Sequence, residues 1–193
     1  MHYLILDLET TGIPKRINGK YPNYRDNNAY DASRIVSCAW IIMNEEQKQI
    51  YENYFVIKPD GFEIPQEAIN IHKITNEYAN ENGIEMYNVL HTLKESVKYY
   101  ASITLVAHNL YFDFNILLNA LYRQGEFDLI NKFFKMQRYC TMFNAKQKMK
   151  LKKNPKLVDL YKIVTNTDME NSHNALSDVV ACGKCFIYLQ DLQ

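Results

Sequence analysis

Apolar positions along this chain recur with two different periods, and the switches between them divide it into elements. Residues 3–8 (Y-L-I-L-D-L) form a short apolar run that predicts a buried strand. Residues 14–33 are polar, with two prolines and four asparagines, and predict a loop. Residues 34–43 and 49–57 predict a second and a third strand, with a hairpin turn around 44–46. After Pro59 and Gly61 the period turns helical. Pro65 suits a first helical turn, so a short helix to about Lys73 follows, and Thr75 is a good N-cap for another.

Met86, Leu90, Leu93 and Val97 space an amphipathic helix over 86–100. Residues 103–107 predict a fourth strand, 110–124 a helix and 136–140 a fifth strand. Helices are expected over 141–149 and 156–164, and a last one is capped by Asn174. Three hairpin-connected strands followed by strands alternating with helices argue an α/β fold, a mixed sheet with helices on its faces. There are no internal repeats.

A length of 193 residues suits one domain with a sizeable core. An apolar fraction of 47% and a charged fraction of 23% are those of an ordinary globular chain. No run of about 18 apolar residues occurs, so no membrane span is expected. Nor is a signal peptide. Cys38, Cys140, Cys182 and Cys185 give no disulfide framework; Cys182 and Cys185 have the spacing of half a zinc site but no second pair, and are expected to be core thiols. A reducing, cytoplasmic setting follows as the expectation.

The net charge of zero hides an asymmetry: residues 129–158 hold nine Lys or Arg and no Asp or Glu. Such a segment either guides a polyanion or is a solvated surface, and the sequence leaves both open.

Three short blocks carry chemistry. The first, D-L-E-T-T-G, runs from Asp7 to Gly12 at the end of the first strand. Period-2 alternation puts Asp7 and Glu9 on one face of the sheet and Leu6 and Leu8 on the other. Two adjacent carboxylates repel unless a cation lies between them, and hard oxygen donors suit Mg²⁺ or Mn²⁺. Alone, a D-x-E at a strand end is non-specific, and a pair of solvated acids is the plainer reading. The second block, H-N-L-Y-F-D, ends at Asp113, on the core-facing side of its helix, where a carboxylate needs a partner. An acid favoured by the helix dipole is the plainer alternative. The third block, H-N-A-L-S-D, places His173 in a loop and Asp178 in the first turns of the last helix. A neutral imidazole near a metal-held water has the pKa of a general base.

The order, spacing and flanking residues of these blocks resemble the DEDDh family of 3′–5′ exonucleases, and the segment I-P-Q-E-A-I-N-I-H-K-I-T (residues 64–75) resembles one near the active site in its epsilon-like proofreading branch. The resemblance implies a ribonuclease H-like exonuclease fold, a five-stranded mixed sheet flanked by helices, with residues 1–193 as a single exonuclease domain. It implies two Mg²⁺ (or Mn²⁺) ions: Asp7 bridges both, Glu9 and Asp178 hold the one carrying the water, and Asp113 supports the other. It makes His173 the base and His108 an orienting residue. Thr10, Thr11 and Gly12 would hold the terminal nucleotide, and Ile69, His72 and Ile74 would wedge against its base unless they are a small buried helix face. Asn109, placed to cap its helix, joins the substrate-binding set.

The implied activity is hydrolysis of a single-stranded 3′ end, DNA before RNA, to nucleoside 5′-monophosphates, in proofreading or repair, with a polymerase partner in trans and no membrane. An exoribonuclease, or a non-catalytic module that binds nucleic-acid ends, is the alternative. The resemblance is imperfect: Lys73 stands where glycine is usual, and Cys140 stands where a carboxylate is common.

Overall fold

The structure, a computed structural model, describes residues 1–192. Five strands form one sheet: β1 (His2–Thr10), β2 (Ile35–Met43), β3 (Gln49–Val56), β4 (Ile103–Ala107) and β5 (Gln137–Cys140). Their order is β3-β2-β1-β4-β5. β1 pairs antiparallel with β2 and parallel with β4, so the sheet is mixed, as the order of elements predicts. The helices are α1 (Gln66–His72), α2 (Asn76–Asn82), α3 (Met86–Val97), α4 (Leu110–Arg123), α5 (Phe127–Lys135), α6 (Thr141–Lys148), α7 (Leu157–Thr165) and α8 (Ala175–Asp191).

Alternation along β1 sorts its side chains between two cores. Leu4, Leu6 and Leu8 face a large core closed by α3, α4 and α5. Ile5 faces the opposite side, where Ala175, Val179, Cys182 and Phe186 of α8 pack. β2 is buried at every position because helices cover both of its faces. α8 lies close to β2: a Cβ on Gly183 would meet Cδ1 of Ile41 at 3.2 Å. All four cysteines are free and buried, as core thiols should be. Among the described residues, no helix is long and apolar enough to cross a membrane.

Two features depart from the reading of the sequence. α5 was not anticipated, although Leu129, Ile130 and Phe133 are buried at helical spacing. The segment expected as a plain loop contains a 3-10 helix, Asn28–Ser33, tied down at several points. Tyr30 is fully buried and donates to the Pro22 carbonyl at 2.9 Å. Asn119 of α4 donates to the Tyr24 carbonyl and to Oδ1 of Asn27, and Arg123 bonds Asn27 and Asp31. Its polar composition reads as a loop, but the partners that order it lie about ninety residues away.

Candidate active site

The C-terminal ends of β1 and β4 lie side by side because the two strands are parallel neighbours. β1 ends in the first acidic block and β4 runs into the second, so the sheet alone brings Asp7, Glu9 and the start of α4 together. Asp113, in the first turn of α4, is only 3% exposed. The backbone N–H of Leu8 donates to its Oδ1 at 3.2 Å, which is the partner a buried carboxylate requires. α8 packs on the face of β1 that carries Asp7 and Glu9, and brings Asp178 with it. Asn174 caps α8 by accepting from the N–H of Ser177, as expected.

His173 sits just before that cap with a left-handed backbone, φ 66°. One ligand atom each of Glu9, His173 and Asp178 lie within 4.8 Å of one another. Oδ1 of Asp178 is buried with no hydrogen-bond partner.

The electrostatics agree with this convergence. Burial, followed by the charges of Asp113, Asp178 and Glu9, holds the Asp7 carboxyl well above the usual carboxylate range. Burial, then Asp178 and Asp113, pushes Glu9 up to about 8. Burial also raises Asp113, against the hydrogen bond from Leu8. Asp178 is raised to about 6 by burial, with His173 pulling it down. Four carboxylates in one partly desolvated volume are a standing cost unless positive charge joins them. Among the described residues, no Lys or Arg forms an ion pair with any of the four. The donor set is hard oxygen with one imidazole, so it fits a divalent cation such as Mg²⁺ or Mn²⁺.

The Thr10–Gly12 turn is held from behind. Thr11 N–H donates to the Arg34 carbonyl and Arg34 N–H donates to Thr11 Oγ1, both at 2.9 Å. Thr10 Oγ1 donates to the Gly12 carbonyl at 2.8 Å. A Cβ on Gly12 would lie 2.8 Å from the Ala32 carbonyl oxygen, so only glycine passes there without a shift. Arg34 was not singled out from the sequence, since its contribution here is made by backbone atoms that any residue carries.

The 64–75 segment divides into two roles. His72 is 6% exposed and accepts from the Ile74 N–H through Nδ1 at 3.1 Å. Burial, and then the nearby charge of His173, lower its pKa, so the ring is neutral with its proton on Nε2. That Nε2 is buried without a partner. Ile74 is 7% exposed and packs with Val36, Val56, Ile64, Ala68 and Ala79. It is therefore a core residue in this structure rather than an exposed wedge, and Ile69 is partly buried against the same cluster. Lys73 takes a left-handed conformation, φ 64°, at the C-cap of α1 where glycine would be unstrained.

Asn109 occupies the N-cap position of α4 but does not cap it through its side chain. Its own backbone is left-handed, φ 63°, and its carbonyl instead accepts from the Phe112 N–H. A side-chain cap requires an extended backbone at that position, and the sharp β4–α4 turn removes it. His108 does orient its neighbours. Its Nε2 lies 3.1 Å from the Pro155 carbonyl and its Nδ1 3.0 Å from Thr141 Oγ1. Burial lowers its pKa to about 4, so it is neutral, donating to the carbonyl and accepting from the hydroxyl.

A family model described as Exonuclease matches residues 4–186 of this chain. No curated protein matches it. Among solved structures, E. coli exonuclease I in complex with a dT13 oligonucleotide is 18% identical with a TM-score of 0.74, covering 100% of this chain and 41% of that one. Exonuclease I from Methylocaldum szegediense is 19% identical with a TM-score of 0.71, covering 97% of this chain and 40% of that one. The sheet and its flanking helices thus match the ribonuclease H-like exonuclease fold of exonuclease I. The chain spans about two fifths of the length of those proteins.

Proposed function

The chain belongs to the exonuclease family, and from that premise we propose that it is a metal-dependent 3′–5′ exonuclease of the DEDDh type, acting as a single domain on single-stranded DNA ends. One observation carries the reading. Glu9, His173 and Asp178 converge within 4.8 Å beside Asp7 and Asp113, with a buried Asp178 oxygen left unpartnered. Asp7, Glu9, Asp113 and Asp178 would hold a pair of Mg²⁺ or Mn²⁺ ions. When bound, such ions neutralise charge on the phosphoryl oxygens and make water a nucleophile at neutral pH.

The chain's own residues do the rest. His173 takes the proton of the water that attacks the terminal phosphorus; the bond to the 3′ oxygen breaks, and a nucleoside 5′-monophosphate leaves. His173 is exposed on a loop while its neighbours sit on rigid elements, which suits a group that must reach and release a proton. The Leu8 amide fixes one oxygen of the Asp113 carboxylate. His72 carries an unpartnered Nε2–H donor, which we assign to an oxygen of the terminal nucleotide. The Thr10–Gly12 turn, pinned to Arg34, gives that nucleotide a fixed wall. Asn109, at the β4–α4 turn, completes the set beside Asp113.

The test is to incubate matched DNA and RNA oligomers, single- and double-stranded and labelled internally, with Mg²⁺ or Mn²⁺, and to identify the products. Stepwise release of 5′-mononucleotides from single-stranded DNA supports the reading. Preferential release from RNA would move it to an exoribonuclease, and binding without release would make it an end-binding module.

A further inference from the structure

Two exposed aromatic rings lie at the C-terminal edge of the sheet without belonging to the core. Tyr111 is 51% exposed and Phe143 39%. Their ring centroids are 6.2 Å apart, with the planes tilted by 57°. Tyr111 is in the first turn of α4, two residues before Asp113, about 3 Å along the helix axis and on the solvent side where Asp113 faces inward. Phe143 is in the first turn of α6, which starts directly after β5. β4 and β5 are parallel neighbours, so both rings stand at the same edge of the sheet as the acidic cluster.

Positive charge follows Phe143 along the chain. Lys146 follows Phe143 at the i+3 position of α6, on a neighbouring part of the same face. The chain then reverses at Lys150, φ 52°, and returns to β4, where Pro155 is held by His108. The returning loop carries Lys152 and Lys153, with Lys156 just beyond Pro155. Among the described residues, none of Lys146, Lys150, Lys152, Lys153 or Lys156 forms an ion pair, and all five are exposed.

We propose that Tyr111 and Phe143 form a stacking step for the bases just upstream of the 3′ end of a single strand, whose phosphates lie along Lys146 and the lysines of residues 150–156. The inference rests on the reading above that a 3′ end lies at the acidic cluster. Any base offers a π face to such a step, so it would hold the strand without regard to sequence, while the lysines meet the backbone. Single-stranded nucleic acid is the occupant because it alone combines repeated flat apolar groups with repeated negative charge.

The test measures binding in EDTA, where no turnover intervenes. A 5′-labelled oligothymidylate is compared with the same strand made abasic at the nucleotides next to its 3′ terminus. Wild type should prefer the intact strand by about five- to a hundredfold, the range for loss of base stacking. Tyr111→Ala/Phe143→Ala should lose that preference by weakening only the intact strand, at unchanged Tm. Tyr111→Phe and Phe143→Trp should keep it, because the π face is retained. A double variant that keeps the full preference, or a wild type that shows none, would overturn the stacking step. Turnover in Mg²⁺ is read separately on the same strands. A stacking preference without turnover would remove the exonuclease reading and leave the stacking step standing.

Discussion

The backbone N–H of Leu8 and Oδ1 of Asp113 lie 3.2 Å apart, across 105 residues of sequence. The bond ties the end of β1 to the first turn of α4 and fixes one carboxylate oxygen in place. An amide oxygen can accept the same hydrogen bond. Asp113→Asn should therefore keep the fold, and removing one of four mutually repelling charges should leave the metal-free Tm unchanged or raised. Turnover should fall steeply and the rise in Tm on adding Mn²⁺ should shrink. A metal-free Tm several degrees below wild type would show that the charge of Asp113 itself stabilises the fold.

Stability without metal should decline as pH rises. Glu9, at about 8, and Asp178, at about 6, bind protons more tightly in the folded state than in the unfolded chain, and Asp7 and Asp113 shift in the same direction. A raised folded pKa contributes stability that is full below the unfolded value near 4 and lost as pH passes the folded one. The metal-free Tm should drop between about pH 5 and pH 8 through these groups, and Mg²⁺ or Mn²⁺ should restore more of it at pH 8 than at pH 5. Thermal melts in EDTA and in metal across that range check this. An equal metal effect at both ends would contradict the assignment of the four carboxylates as ligands.

His173→Ala should retain the fold and strand binding and lose about 10²–10⁴ in rate, the range for a lost general base. Single-turnover rates near neutral pH are the measurement. Wild-type turnover would exclude the base role. A parallel loss of Mn²⁺ affinity would make His173 a ligand instead, since its ring nitrogen lies in the same 4.8 Å cluster as the oxygens of Glu9 and Asp178.

Reversing Lys150, Lys152 and Lys153 to Glu should weaken binding of single-stranded oligomers and flatten its salt dependence, by about 0.7 in slope for each phosphate no longer neutralised. Lys148 is excluded from this set. Its Nζ donates to the Leu189 and Leu192 carbonyls at 2.7 Å, closing the C-terminus of α8, so its loss would act on the fold. Titrations at several salt concentrations decide the matter; an unchanged slope would make the three lysines a solvated surface.

The sequence by itself determined the strands, most of the helices, and the three blocks that supply Asp7, Glu9, Asp113, His173 and Asp178. These are local properties: a period of two or 3.6 residues, a capping residue, a short string of acids. It also placed the cationic stretch, since charge needs no neighbour to be counted. Only the tertiary structure decided which of these residues cap, pack or bond to distant partners. Thr75 and Asn174 cap their helices as their types suggest, whereas Asn109 does not, because the β4–α4 turn forces its backbone left-handed.

Ile74 and His72 are two residues apart, yet one faces a core cluster and the other leaves a buried donor without a partner. Lys148 reads like its neighbours until its bonds to the end of α8 are known. The 3-10 helix and the Tyr111–Phe143 pair depend on partners supplied by distant segments. Burial and hydrogen bonding across such distances are set by how the elements pack, and no local pattern encodes them.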